Sequence, residues 1–319
     1  MQRKKTVLII IVLALVLGAF VGSGFMGYYV FTASTRMRDN EETSLEKMEN
    51  WLQEKEDFDL ARFRDNYNIE TVKIDSSSGE HKIPADHITA KENQNDAAVI
   101  MVHGLGGNRL SVYPQAEIFL ENGFDVLAYD QRSSGENFAP HNTYGYLESN
   151  DLEDYVKYMR EHPGQYSKLG VWGLSFGGAT AGIYAGTEHA NQNIDFAILD
   201  SPLSSMRYVI TEEIEQMTGS YLAQYLIFMG NLINHLQLGF TYDDANVARA
   251  IENTEVPVML IHSQADNITP YFMGEDIYKA VKHDHKEFFS VENSEHGEIH
   301  LDYPQEYADK MIKFIQENE

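Results

Sequence analysis

Gly173-Leu174-Ser175-Phe176-Gly177-Gly178 is the stretch that decides how this chain is read. It fits the pattern G-x-S-x-G, and its surroundings suit the mechanism behind that pattern. A continuous apolar run, Leu169–Trp172, leads into it and predicts a buried strand. A run of small residues (Gly177, Gly178, Ala179, Ala181, Gly182) comes next and predicts a helix from Gly177 to Glu188. A serine raised on a tight strand-to-helix turn needs glycine on either side, two places away, because side chains there would collide. The turn also sets the hydroxyl at a helix amino terminus, where partial positive charge favours a developing anion. Standing alone, the pattern also describes a glycine-rich turn with an idle serine; its position between strand and helix selects the nucleophile.

A serine hydroxyl needs a base, and the base an orienting acid. After the apolar run Val258–Ile261 the chain reads His262-Ser263-Gln264-Ala265-Asp266, which puts Asp266 on a loop at a strand's carboxyl end. The next strand, Glu287–Val291, is followed by Glu292-Asn293-Ser294-Glu295-His296-Gly297, which puts His296 on the following loop. The order Ser175, Asp266, His296 is the one such sheets use. An earlier run, Ala97–Val102, ends in His103-Gly104-Leu105-Gly106-Gly107, whose glycines allow close backbone approach. The N–H groups of Leu105 and Phe176 are the candidate oxyanion donors. His103 is read as ordering its own loop rather than as a base.

Other polar clusters take the plainer reading. Asp200, in Leu199-Asp200-Ser201-Pro202, also follows a strand and is assigned a structural hydrogen-bonding role. His296 and His300 are four apart, but His-Gly-Glu-Ile-His is not the H-E-x-x-H order of a helical zinc site, and His283-Asp284-His285 reads as a solvated turn. No metal ligand is assigned. Asn267-Ile268-Thr269 matches a glycosylation sequon and is read as part of the acid loop. The serines of Asp130-Gln131-Arg132-Ser133-Ser134-Gly135-Glu136-Asn137 lack a glycine frame and are loop residues.

Working outward, strands are predicted at Ile69–Ile74, His87–Ala90, Asp125–Tyr129 and Phe196–Leu199 besides those above. Helices are predicted at Val112–Glu121, Leu147–Arg160, Tyr271–Val281 and Pro304–Gln316. Strand and helix in succession imply an α/β fold with a mainly parallel sheet covered on both faces. Residues 203–255 interrupt the rhythm with helical stretches such as Tyr221–Leu236, and form a small helical lid. Its many apolar residues, Tyr221, Tyr225, Phe228 and Leu232 among them, either pack the lid down or frame an acyl pocket. Residues 34–66 read as a charged helical lead-in, and residues 67–319 as the catalytic domain with that lid.

The chain has 319 residues, 49 acidic and 24 basic, for a formal charge of −25. Such a surface repels phosphate backbones, so nucleic acid is not an expected partner. There is no cysteine, which removes disulfides, thiolate metal sites and a cysteine nucleophile together. At the amino end Arg3, Lys4 and Lys5 precede an uncharged stretch, Thr6 to Phe31, which is read within a membrane anchor over residues 1–33. As a helix that stretch spans roughly 39 Å, enough to cross a bilayer with some tilt. The basic cluster ahead of the span and the acids after it favour a cytoplasmic amino terminus and an exported body. The competing reading is a cleaved signal peptide, but the stretch is longer than a usual h-region and lacks an A-x-A end.

The set HGLGG, YDQRSSGEN, GLSFGG and the loops of Asp266 and His296 resembles the α/β-hydrolase superfamily, from about residue 68 to the end. It most resembles the single-pass bacterial α/β-hydrolases often labelled prolyl-oligopeptidase-like. The resemblance implies a serine esterase-like activity on a small-molecule ester or acyl substrate, with no cofactor. A peptidase or thioesterase using the same residues, and a non-catalytic surface binding protein of the same fold, are the alternatives. Where many members have Gly-His in the final loop, His296 here follows Glu295 and precedes Gly297, a departure that bears on substrate more than on the triad.

Overall fold

Alternation of fully apolar runs with amphipathic ones produces eight strands in one sheet. A computed structural model describes residues 2–55, 57–91, 95–161 and 166–318, the side chains of residues 2–4 and 8 excepted. The basic tip at Arg3 and Lys4 therefore lies outside the described side chains. Two compact units result, Met1–Met37 with Met206–Asp244, and Arg38–Ser205 with Ala245–Glu319.

The larger unit carries the strands β1 (Tyr67–Asp75), β2 (Lys82–Ala90), β3 (Ala97–Val102), β4 (Phe124–Tyr129), β5 (Lys168–Leu174), β6 (Phe196–Asp200), β7 (Val258–Ser263) and β8 (Lys286–Val291). Their order across the sheet is β1-β2-β4-β3-β5-β6-β7-β8. Within this sheet the β1–β2 and β2–β4 pairings are antiparallel; β4, β3 and β5 to β8 pair in parallel. The residues of β4, β6 and β7 are buried throughout, as parallel strands covered on both faces require.

Register decides where the loops emerge. Val102 pairs with Gly173, Leu174 with Asp200, Asp200 with Ile261, and Ser263 with Val291. Five neighbouring strands thus end nearly flush, and every loop that leaves them rises at one sheet edge.

Residues 34–66, expected as a lead-in, take a larger part. The helices Leu45–Glu54 and Leu60–Asn66 form in this stretch, and Leu52, Phe58, Leu60 and Phe63 join the main core beside Tyr113, Phe119 and Trp172. Apolar side chains this large pack into the body because burying each contributes about 1.5–3 kcal/mol.

A buried polar knot stands between β2, β4 and the loop after β3. The Arg109 guanidinium donates to Asp86 at 3.0 Å, Asp130 at 2.5 Å and Glu136 at 3.0 Å. Asp130 also accepts from the backbone N–H of Arg109 and Glu136, and Gly135 (φ +53) turns directly over its carboxylate. The run Asp130–Asn137 is thereby fixed as structure, in keeping with its reading as a loop.

The smaller unit is helical. Its first helix, Gln2–Thr35, lies against Ser220–Leu238, and Met206–Thr218 precedes the latter. The sequence separates an anchor over residues 1–33 from a lid over 203–255. In the structure the first helix continues to Thr35, and residues 206–244 cluster with it. The reason is a close helix–helix contact: a side chain at Gly27 would meet the Met229 carbonyl, and one at Gly230 would meet Val30. Among the described residues Lys5–Thr35 is the helix long and apolar enough to cross a membrane.

Burial pushes the Asp130 carboxyl up to about 6, against the pull of Arg109. An Arg109→Met protein, which leaves two carboxylates buried without a cation, should lose about 3–5 kcal/mol by urea unfolding at pH 8. Raised folded-state carboxyl values mean stability that is complete at low pH and lost as pH rises through them. The loss should therefore shrink at pH 5, where Asp130 takes up a proton; an equal loss at both pH values would contradict the knot's charge balance.

Candidate active site

The turn at residue 175 is strained in the way the motif predicts. Ser175 has φ +56° and ψ −114°, a conformation that costs a residue with a side chain about 1–3 kcal/mol. Its N–H is held by the Asp200 carbonyl at 2.8 Å, and the helix Phe176–Ala185 starts directly after it. Both framing glycines are required by close approach. A Cβ at Gly173 would lie 2.2 Å from the Gly177 carbonyl oxygen, and one at Gly177 would lie 2.1 Å from that of Val102. The N–H of Phe176, in the first turn of its helix, has no carbonyl four residues back to serve.

The loop after β3 sits against the turn. A Cβ added at Gly104 would lie 3.5 Å from both the Leu174 carbonyl oxygen and the Ser175 Cβ. His103 is fully buried, and its burial pushes the imidazole down to about 4, so it is neutral. Its Nδ1–H donates to the Gly104 carbonyl at 2.7 Å, and its Nε2 accepts from the Gln131 N–H at 3.0 Å. The Gln131 side chain donates back to the His103 carbonyl at 2.5 Å and accepts from the Thr180 hydroxyl at 2.7 Å. His103 orders this loop and has no free nitrogen to act as a base. The sequence reads Gln131 only as part of a loop and Thr180 only as a helix residue, so the chain from His103 through Gln131 to Thr180 is not legible there.

Asp266 and His296 meet. The His296 Nδ1–H donates to Asp266 Oδ2 at 2.7 Å, an assignment that follows from the carboxylate being able only to accept. The other carboxylate oxygen accepts from the N–H groups of Ile268 and Thr269, both at 2.8 Å. Burial alone would raise this carboxyl; the His296 hydrogen bond and charge, with the two backbone N–H donors, outweigh it and hold Asp266 below the ordinary value. Asn267-Ile268-Thr269 thus belongs to the loop that holds the Asp266 carboxylate. The His296 loop reaches the serine turn, because a side chain at Gly297 would touch Leu174. Among the described residues the Ser175 hydroxyl makes no hydrogen bond, and neither does His296 Nε2. Nucleophile–base bonds are often long in unliganded sites and tighten when substrate arrives.

The rival residues are occupied elsewhere. Asp200 accepts from the Tyr307 hydroxyl at 2.7 Å and the Ser201 hydroxyl at 3.0 Å, and Tyr307 in turn accepts from Trp172 Nε1 at 3.2 Å. Burial pushes Asp200 up to about 6. His300 bonds the Gly297 carbonyl through Nδ1 at 3.0 Å, and burial pushes it down to about 4. No cluster of three or more potential metal ligands occurs among the described residues.

A cleft of about 490 Å³ opens beside His296, floored by Gly104–Gly107 and Leu174 and walled by Met48 and Trp51. That size lies within the usual range for small-molecule sites. Its far wall comes from the helix Leu45–Glu54, which the sequence places in the lead-in, outside the catalytic domain.

Residues 97–223 match the model of the alpha/beta hydrolase fold. The esterase Pf2001 of Pyrococcus furiosus superimposes with a TM-score of 0.62 over 79% of this chain and 93% of its own, at 22% identity. This chain has the α/β-hydrolase fold. Relatives by sequence include the uncharacterized protein YqkD of Bacillus subtilis, 26% identical over 77% of this chain and 79% of its own length. The uncharacterized protein YfhR of Escherichia coli K12 is 25% identical over 79% of this chain and 78% of its own. At these identities the structural likeness is one of fold, and the chemistry rests on the site.

Within the hydrolase fold the Ser175 turn stores strain that glycine would relieve. Ser175→Gly should stabilise the protein by about 1–2 kcal/mol, the released strain less the extra chain entropy of glycine. Thermal unfolding measures this, and a destabilised variant would show that the turn is unstrained.

Proposed function

We propose that this chain is a membrane-tethered serine hydrolase that cleaves carboxylic esters through an acyl-enzyme on Ser175. The observation that carries the proposal is the 2.7 Å bond from His296 Nδ1–H to Asp266, because it leaves Nε2 as a lone-pair base. As substrate binds, Nε2 takes the Ser175 proton while Oγ attacks the ester carbonyl. Negative charge moves to the carbonyl oxygen, where the N–H groups of Leu105 and Phe176 receive it. Each such donor contributes about 3–4 kcal/mol to the transition state. The imidazolium, steadied by the Asp266 carboxylate, gives its proton to the departing alcohol. Water, activated by the same Nε2, then attacks the acyl-enzyme and releases the acid.

Asp266 suits this role because its ionised form is favoured, whereas burial favours the neutral form of Asp200. The cleft beside His296 has room for a small acyl or alcohol group, with Trp51 and Met48 as its apolar wall. The helix Gln2–Thr35 serves as an uncleaved single-pass anchor, with the hydrolase domain outside the cytoplasm.

Assays on a panel of p-nitrophenyl esters of graded length, matched thioesters and aminoacyl amides would test the reaction class. Ester turnover should dominate, and Ser175→Ala should lower kcat by about 10⁶-fold. Turnover undiminished in that variant would remove the proposal. The two buried acids should separate as well: Asp266→Asn should lower kcat by about 10⁴-fold, with a far smaller loss for Asp200→Asn. The reverse ranking would move the acid's role to Asp200.

A further inference from the structure

The lid helix Ser220–Leu238 is built inside out for a protein in water. Its buried positions are Ala223, Ile227, Gly230 and Asn234, only one of them a large apolar residue, while Tyr221 is 99%, Phe228 64% and Leu236 67% exposed. A water-facing helix turns its large apolar side chains inward. Over its whole length this one carries no Asp, Glu, Lys or Arg. Small residues at the contact and large apolar ones outside is the pattern of helices that pack within lipid.

The small side faces the N-terminal helix. Tyr225 bonds Ser23 through its hydroxyl, Gly27 abuts the Met229 carbonyl, and Gly230 abuts Val30. The Ser34 and Tyr242 hydroxyls lie 3.3 Å apart just beyond. Pairs that ascend together along both chains mean that the two helices run parallel. Tyr221 therefore lies about one turn, roughly 5 Å, farther toward the start of the N-terminal helix than Ser23 does. Crossing a bilayer core takes about 20 residues, so a span begun at Thr6 leaves hydrocarbon near Phe25. Tyr28 and Tyr29, both exposed, then fall at headgroup level, where aromatic side chains collect. Tyr221 and Tyr225 lie beside the part of the helix that is still inside.

We infer that the lid helix is a second membrane contact: its amino-terminal half dips into the bilayer next to the anchor, with Tyr221 against the acyl chains and Phe228 at their edge. This rests on the reading of Gln2–Thr35 as a membrane span. The occupant of the exposed face is the lipid itself, since Tyr221, Leu222, Phe228 and Leu232 lie exposed on a helix packed against the exposed apolar side chains of the N-terminal helix, with Gln224 the one polar residue exposed between Tyr221 and Phe228.

The absence of cysteine makes the test direct. Full-length protein carrying Tyr221→Cys or Phe228→Cys is labelled with a fluorophore and reconstituted into phosphatidylcholine–phosphatidylglycerol vesicles containing acyl-chain nitroxide lipid. Leu13→Cys serves as the anchor control and Glu80→Cys, on an exposed turn of the larger unit, as the aqueous control. Fluorescence at 221 should be lost as it is at 13, lost in part at 228, and retained at 80. Loss at 13 with full retention at both 221 and 228 would overturn the lid contact and leave the anchor standing. Retention at 13 would overturn the anchor reading, and the lid contact with it.

Discussion

One backbone contact governs the site: the Cα of Gly177 lies against the Val102 carbonyl so closely that a methyl group there would sit 2.1 Å from its oxygen. Because that space is closed, the helix after Ser175 begins directly behind β5 and beside the end of β3. The serine is left at a positive φ on the turn, and the loop of Gly104 lies within reach of it. The loop of Gly104 and the Ser175 turn come from distant segments, yet this contact brings them together before any substrate arrives. Strain of about 1–3 kcal/mol at one residue is small beside the burial of six parallel strands, so the fold sustains it.

Hydrogen bonding then sets the two buried acids apart. Asp200 and Asp266 leave adjacent strands at the same sheet edge, and burial penalises ionisation in both. Asp266 receives two backbone N–H bonds and the His296 imidazole, which favour the ion. Asp200 receives two hydroxyls, which offset its burial less, and it stays the weaker acid. The difference lies in donor type and number rather than in distance along the chain. His103, buried and bonded through both nitrogens, shows the same rule for a base: what it already bonds decides what it can do.

Much of this is legible in the sequence because the signals are local. The strands β3 to β8 announce themselves as apolar runs, and the loops carrying Leu105, Ser175, Asp266 and His296 come directly after them. The parts that sequence conceals depend on tertiary packing. Leu52, Phe58 and Phe63 stand in a charged stretch whose periodicity gives no hint that it covers the core and walls the cleft. Gln131 and Thr180 carry no sequence signal that pairs them with His103, and Tyr307 is one aromatic on an amphipathic helix. The lid's apolar residues are visible as composition only. Their partner, a helix some 200 positions earlier in the chain, emerges only where Gly27 and Gly230 meet Met229 and Val30.

The most direct test is a crystal structure of the protein after reaction with an alkyl fluorophosphonate, whose phosphoryl oxygen stands where an oxyanion would form. Phosphorus should be bonded to Ser175 Oγ, with its oxygen about 3 Å from the N–H groups of both Leu105 and Phe176 and His296 Nε2 in hydrogen-bond reach of Oγ. An adduct on another residue, or a phosphoryl oxygen turned away from both N–H groups, would contradict this assembly of nucleophile, base and oxyanion donors.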